Sequence, residues 1–232
     1  MKNLNIYIIH YSKLKNRREH IDKLMSKSPY YYEYIEKYDK ETLTQDKIDE
    51  IYERNETIFL SKSKLWKNKA VPYFELSLEE ISCAKKHIYA LEKIKNNGSE
   101  YNLIIEDDVI PENSDYFDKI ENLLKTRGKW DVLLIGEGMG SNYRKNRIGY
   151  KRYFPFKKTF KISHPSTNCL EAYIVKKQSL DKVTSGLQPI NMPIDWELAY
   201  QFFKKNIIVH WSKHSIFKQG SKNNYFKSAL RK

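Results

Sequence analysis

Asn102-Leu103-Ile104-Ile105-Glu106-Asp107-Asp108-Val109 is the stretch on which the fold turns. A short apolar, β-branched run reads as a buried strand, and here it ends abruptly in three carboxylates. Just upstream, Ser77-Leu78-Glu79-Glu80 is a capping box that starts a helix at Leu78. Ile81, Ala84, Ile88 and Leu91 form its apolar stripe, and Asn97-Gly98 ends it. Downstream, Ser114 caps a helix through Leu124, and Trp130–Ile135 is a strand stopped by Gly136. Working toward the N-terminus, Leu4–Ile9 is a buried strand. A helix carrying Ile21, Leu24 and Met25 follows, then a strand in 30–38 and a helix in 41–54. Residues 55–76 show no period and read as a long loop. Toward the C-terminus come a strand in 168–175, helices in 178–184 and 195–203, and a strand in 206–210. Strands alternating with helices predict an α/β fold with a mainly parallel sheet flanked by helices.

With 232 residues, 40% hydrophobic and 31% charged, the chain can bury a full core, and one domain is the simplest expectation. No apolar run is long enough to span a membrane, and the first residues lack the apolar stretch of a signal peptide. Cys83 and Cys169 are the only cysteines, which excludes a disulfide framework and a four-cysteine zinc site and fits a reducing, cytoplasmic setting. The net charge of +13 is unevenly placed. Between Glu137 and Glu171 stand eight basic residues and no acid: Arg144, Lys145, Arg147, Lys151, Arg152, Lys157, Lys158 and Lys161. After Glu197 come eight more Lys and Arg, again with no acid. Such asymmetry suits an anionic partner: nucleotide phosphates, an acidic polymer or a membrane surface touched from one side. A solvated lysine-rich surface gives the same count.

Three adjacent carboxylates repel one another. Mn²⁺ or Mg²⁺, which prefer oxygen ligands, would offset that charge at the carboxyl end of a strand, where α/β sheets bind ligands. Strand alternation sends Glu106 and Asp108 to one side and Asp107 to the other. A solvated turn before Pro111 is the other reading of the same residues. Gly136-Glu137-Gly138-Met139-Gly140 lacks the spacing of a dinucleotide fingerprint, and no phosphate-binding loop of the Walker type is present. His87, beside the stripe of its helix, is either a hydrogen-bonded core histidine or a catalytic one. Asp195, after Pro193 at a helix start, is either an N-cap or a general base.

Taken in order, these segments resemble glycosyltransferase family 25, the lipopolysaccharide and procollagen sugar transferases. The residues that carry the likeness are Ile6-Tyr-Ile-Ile-His10-Tyr11 leading to Arg17-Arg18, then Lys37-Tyr38-Asp39. They continue with Glu80-Ile-Ser-Cys83-Ala-Lys-Lys-His87, Ile105-Glu-Asp-Asp-Val109, 167–177 and Pro193-Ile-Asp195. The likeness runs over roughly residues 4–221. His10-Tyr11 stands where the family has Asn-Leu, and 55–76 matches nothing in it. The resemblance implies a GT-A fold, with a nucleotide-binding half in about 1–110 and an acceptor half with a basic tail in about 111–232. It implies inverting transfer of a hexose, galactose or glucose, from a UDP-sugar to a glycan or lipopolysaccharide-like acceptor. The roles that follow are Asp108 and Glu106 as metal ligands and Asp195 as catalytic base. His10, Tyr11, Arg17, Asp39, His87 and Asp107 are the expected nucleotide-sugar contacts. Two other classes fit parts of the chain. A sugar nucleotidyltransferase would need a glycine-rich loop after the first strand, and His10–Arg18 has no glycine. A nucleic-acid or polyanion binder would leave the acidic strand end unexplained.

Overall fold

The computed structural model describes residues 3–66, 73–97, 99–125, 129–138, 158–162 and 170–230. The expectations that fall on Arg144, Lys145, Arg147, Lys151, Arg152, Lys157, Cys169, Met139, Gly140 and parts of 55–76 and 167–177 lie outside them.

The chain opens with β1 (Leu4–Ile9), α1 (Lys15–Met25) and β2 (Tyr31–Ile35). Next come α2 (Gln45–Ile51), α3 (Glu56–Ser63), α4 (Leu78–Asn97) and β3 (Tyr101–Glu106). Then follow β4 (Val109–Pro111), α5 (Tyr116–Leu124), β5 (Val132–Leu134), β6 (Thr159–Lys161) and β7 (Ala172–Lys176). The C-terminal part adds α6 (Leu180–Thr184), α7 (Ile194–Lys204), β8 (Val209–Ser212) and β9 (Phe217–Gln219). Seven strands form one sheet in the order β2-β1-β3-β7-β5-β8-β6, and β4 pairs with β9 beside it. β2, β1 and β3 run parallel, as do β5 and β8. β7 lies antiparallel between β3 and β5, and β6 is antiparallel to β8. The α/β class and the flanking helices are as the sequence predicts; the parallel character is concentrated in two groups of strands joined by β7.

Alternation along the strands builds two cores. Tyr7, Ile9, Ile104, Val132, Leu134 and Val175 face α4, α6 and α7. Ile6, Ile8, Leu103, Ile105, Leu133 and Ile174 face α1 and α5. The capping box at α4 forms as read: the Ser77 backbone N–H donates to Glu80 at 2.9 Å and the Glu80 N–H donates to the Ser77 hydroxyl at 3.3 Å.

Several expectations are corrected. Residues 55–76 are not a loop throughout. Asn55 caps α3 through a hydrogen bond from the Ile58 N–H, and a 3₁₀ turn follows at Lys64–Trp66. Phe59 and Trp66 bury with Met192 and Ala199 in a third, smaller core, so this segment is folded against α7. The helix expected over 41–54 is a 3₁₀ turn at Lys40–Thr42 followed by α2. Asp115, not Ser114, is the N-cap of α5, and Pro193, not Asp195, is the N-cap of α7.

Candidate functional site

β1 and β3 are neighbours in register, Ile9 opposite Glu106, so both strands deliver their next residues to the same edge of the sheet. That edge is the carboxyl end of two parallel strands, where the helix-capped crevice of an α/β sheet opens. A cavity of about 230 Å³ lies there, lined by His10, Tyr11 and Arg17 after β1, by Cys83 and Lys86 of α4, and by all three acids after β3. Its far wall is C-terminal: Gln219, Ser221, Lys222 and residues 228–230. The pairing of β4 with β9, Val109 opposite Gln219, brings that wall to Asp108.

The three acids have different surroundings. Asp107 is enclosed: His10 Nδ1 lies 2.7 Å from one carboxylate oxygen, and the Arg17 guanidinium donates to the other at 2.6 Å. Burial works against its charge, but the His10 hydrogen bond and the Arg17 guanidinium together outweigh it and hold the carboxyl below its ordinary value. Asp108 is also buried, with the Ser221 N–H at 3.0 Å on Oδ2, while its Oδ1 is buried without a hydrogen-bond partner among the described residues. Burial first, and the Glu106 charge second, push Asp108 up to about 6. Glu106 accepts from the Gln219 side-chain amide at 3.2 Å and stands 3.5 Å from His87 Nε2. Alternation holds to Glu106 and then stops, because Asp107 and Asp108 form a turn. Glu106 keeps to the α4 side, Asp107 turns to α1, and Asp108 meets the C-terminal wall.

The remaining expected residues fall into two groups. Tyr11 lines the cavity, its hydroxyl donating to Glu41, and Arg17 lines it while also donating to the Lys227 carbonyl at 2.6 Å. Asp39 stands behind the lining, where it accepts from Lys86 and from the Ser12 hydroxyl. His87 is fully buried, stacked on Tyr173 with its Nδ1 3.2 Å from the Tyr173 hydroxyl. It too stands behind the wall, in core packing, and not on the surface a donor would meet. Asp195 is half-buried in the first turn of α7 and accepts from the Trp196 N–H at 3.0 Å. Its charge reaches the Cys83 thiol, though it does not itself line the cavity.

The description "Glycosyltransferase family 25 (LPS biosynthesis protein)" matches residues 3–198, which takes in the cavity's β1, α4 and β3 walls. The chain belongs to glycosyltransferase family 25. No curated protein sequence matches it. Among solved structures it is similar to A197 from STIV, with 16% identity, 94% of this chain and 83% of that chain covered, and a TM-score of 0.46. It is also similar to a glycosyltransferase involved in the glycosylation of the major capsid of PBCV-1, with 15% identity, 96% of each chain covered and a TM-score of 0.46. Among the described residues of this family 25 glycosyltransferase, no helix is long and apolar enough to cross a membrane.

The sequence expects a basic C-terminal tail beside the site and offers Glu171 as a reserve base after Asp195; Lys86 it misses. Lys86 is fully buried and donates to the His10 carbonyl and to Asp39, tying α4 to the segment after β1. Glu171, at the start of β7, is fully buried with one oxygen accepting from the Gly138 N–H at 2.7 Å, and burial pushes its carboxyl well up. Gly136 makes room for it: a Cβ there would sit 2.3 Å from a Glu171 oxygen. The partners within the wall were not legible, because Gln219 and Ser221 meet Glu106 and Asp108 across a separation of 113 residues.

Proposed function

We propose that this glycosyltransferase moves a hexose, galactose or glucose, from a UDP-sugar to a glycan or lipopolysaccharide-like acceptor, inverting the anomeric carbon, with Mn²⁺ or Mg²⁺ required. One observation carries the reading. Of three consecutive carboxylates, Asp107 is neutralised by Arg17 and hydrogen-bonded to His10, while Asp108 and Glu106 remain at the cavity as an under-compensated pair. The orphaned Asp108 Oδ1 and the all-oxygen donor set suit a hard divalent cation. When bound by Asp108 and Glu106, the ion would supply Lewis-acid stabilisation of the departing diphosphate.

The chain's own residues would do the rest. Tyr11, at the end of β1, would offer its ring to uracil. Asp39, held by Lys86, would fix the Ser12 turn beside it. Lys222 would face phosphate at the cavity mouth, while Arg17, held by Asp107 and the Lys227 carbonyl, would pin the segment behind it. Asp195 would take the acceptor hydroxyl proton, since the acids after β3 are committed to the leaving-group side. Asp195→Ala should abolish transfer while UDP and metal binding stay near wild type. Wild-type turnover in that variant, or a product that keeps the donor's anomeric configuration, overturns the assignment. A hydrolysis screen of nucleotide sugars with Mn²⁺ tests the donor class, and a response confined to non-uridine donors rejects it.

A further inference from the structure

α4 contributes a second set of ligand-type groups beside the oxygen pair. Cys83 and His87 are four residues apart and therefore share one face of the helix. Across from them stands Glu106 at the end of β3. A sulfur, a ring nitrogen and a carboxylate oxygen from these three residues lie within 4.8 Å of one another. The His87 Nε2–Glu106 Oε1 separation is 3.5 Å, close to the roughly 3.4 Å edge that zinc–nitrogen and zinc–oxygen bonds of about 2.1 Å give in a tetrahedron. His87 Nε2 is buried and makes no hydrogen bond, while the other ring nitrogen meets the Tyr173 hydroxyl. That is the arrangement in which a ligating imidazole is oriented by a partner on its far nitrogen. Cys83 and Glu106 both border the cavity, so a fourth position would be open to water or a ligand.

We propose that Cys83, His87 and Glu106 form a site for one borderline-soft transition ion of the Zn²⁺ class, distinct from the oxygen-only pair. Thiolate and imidazole favour such an ion over Mg²⁺ or Mn²⁺. Binding releases the Cys83 thiol proton to solvent and leaves the imidazole neutral. Glu106 is common to both sets of ligands, so filling this site sets the soft ion against the hard one. The proposal stands on geometry alone and does not depend on the UDP-sugar reading.

The test is a Co²⁺ titration of the reduced, metal-free full chain, followed by Zn²⁺. We expect one equivalent to give a near-ultraviolet thiolate-to-cobalt charge-transfer band that Zn²⁺ bleaches. Cys83→Ser and His87→Gln should lose the band, Cys169→Ser should keep it, and Tyr173→Phe should weaken Co²⁺ binding about tenfold or more. No band in the wild-type chain, a band that survives Cys83→Ser, or one lost with Cys169→Ser overturns the proposal. A readout on the unmodified protein covers any variant that unfolds: one equivalent of Zn²⁺ should slow iodoacetamide labelling of Cys83. An unchanged labelling rate rejects the site. Failure of Mn²⁺-dependent UDP binding with the Co²⁺ band intact would sink only the hard-cation reading.

Discussion

Asp107 gives both carboxylate oxygens to protein partners, and Arg17 in turn spans from Asp107 to the Lys227 carbonyl. Asp107→Asn would leave the enclosed Arg17 guanidinium without its counter-charge, a change that costs about 3–5 kcal/mol when a buried pair is broken. Thermal or urea unfolding of the purified variant should show that loss. The next residue should behave in the opposite way. Asp108→Asn removes a buried carboxylate that burial and the Glu106 charge disfavour more than Ser221 and the Arg17 charge support, so melting should hold or rise. The same variant should lose Mn²⁺-dependent UDP affinity in a calorimetric titration; unchanged affinity would refute the metal assignment. Two neighbouring acids thus separate a structural role from a ligand role by the sign of their effect on stability.

At the scale of elements, the end of β3 works as a divider, sending Glu106 toward α4 and Asp107 toward α1. The end of β5 shows how tightly that edge is built. Gly136 stands against Glu171, so Gly136→Ala forces a Cβ into a buried carboxyl and should cost about 1–3 kcal/mol. Glu171→Ala in the same chain should recover part of that loss, and the double-mutant coupling measures the contact. Additive losses would show that the clash is relieved elsewhere. The same divider explains what the sequence made legible. Leu4–Ile9 and 102–106 announce themselves because buried strands are apolar on both faces, and α4 because its capping box and stripe agree. α3 was unreadable because Phe59 and Trp66 are the only residues of 56–66 that bury, too few for a period. β4, β6 and β9 are three residues each, too short to alternate visibly. Of the site, the acids were legible because charge on a buried strand end needs an explanation. Asp39 was recognisable as a position but not as a buried one, and His87 stayed open between core and catalytic roles, since their partners Lys86 and Tyr173 come from other elements.

Over the whole molecule, the C-terminal part belongs to the cavity as much as the N-terminal part does. β8 sits inside the large sheet between β5 and β6, and β9 holds β4. Truncation after Lys205 removes both strands and should unfold the chain, with loss of donor affinity. Truncation after Asn224 is the more informative cut. It removes the Lys227 carbonyl that Arg17 holds and the 228–230 wall, while the large sheet keeps all its strands. Its melting should stay close to that of the full chain and its UDP affinity should fall. Native affinity in this shorter chain would contradict a role for the segment at the cavity mouth. The basic residues after Glu197 then have a partial account, since Lys222 borders the cavity and Lys218 pairs with Glu112.

The wall's long reach also has a kinetic side. Ser221 meets Asp108 across 113 residues and Lys227 meets Arg17 across 210, whereas α4 needs only its own neighbours to begin. Contacts that close such large loops form after local ones and give back less for the order they impose. The C-terminal wall of the cavity should therefore assemble after the sheet it closes and open before it. In native-state hydrogen exchange, the Gly220 and Ser221 amides that bond to Asp108 should exchange well before those linking β1 to β3.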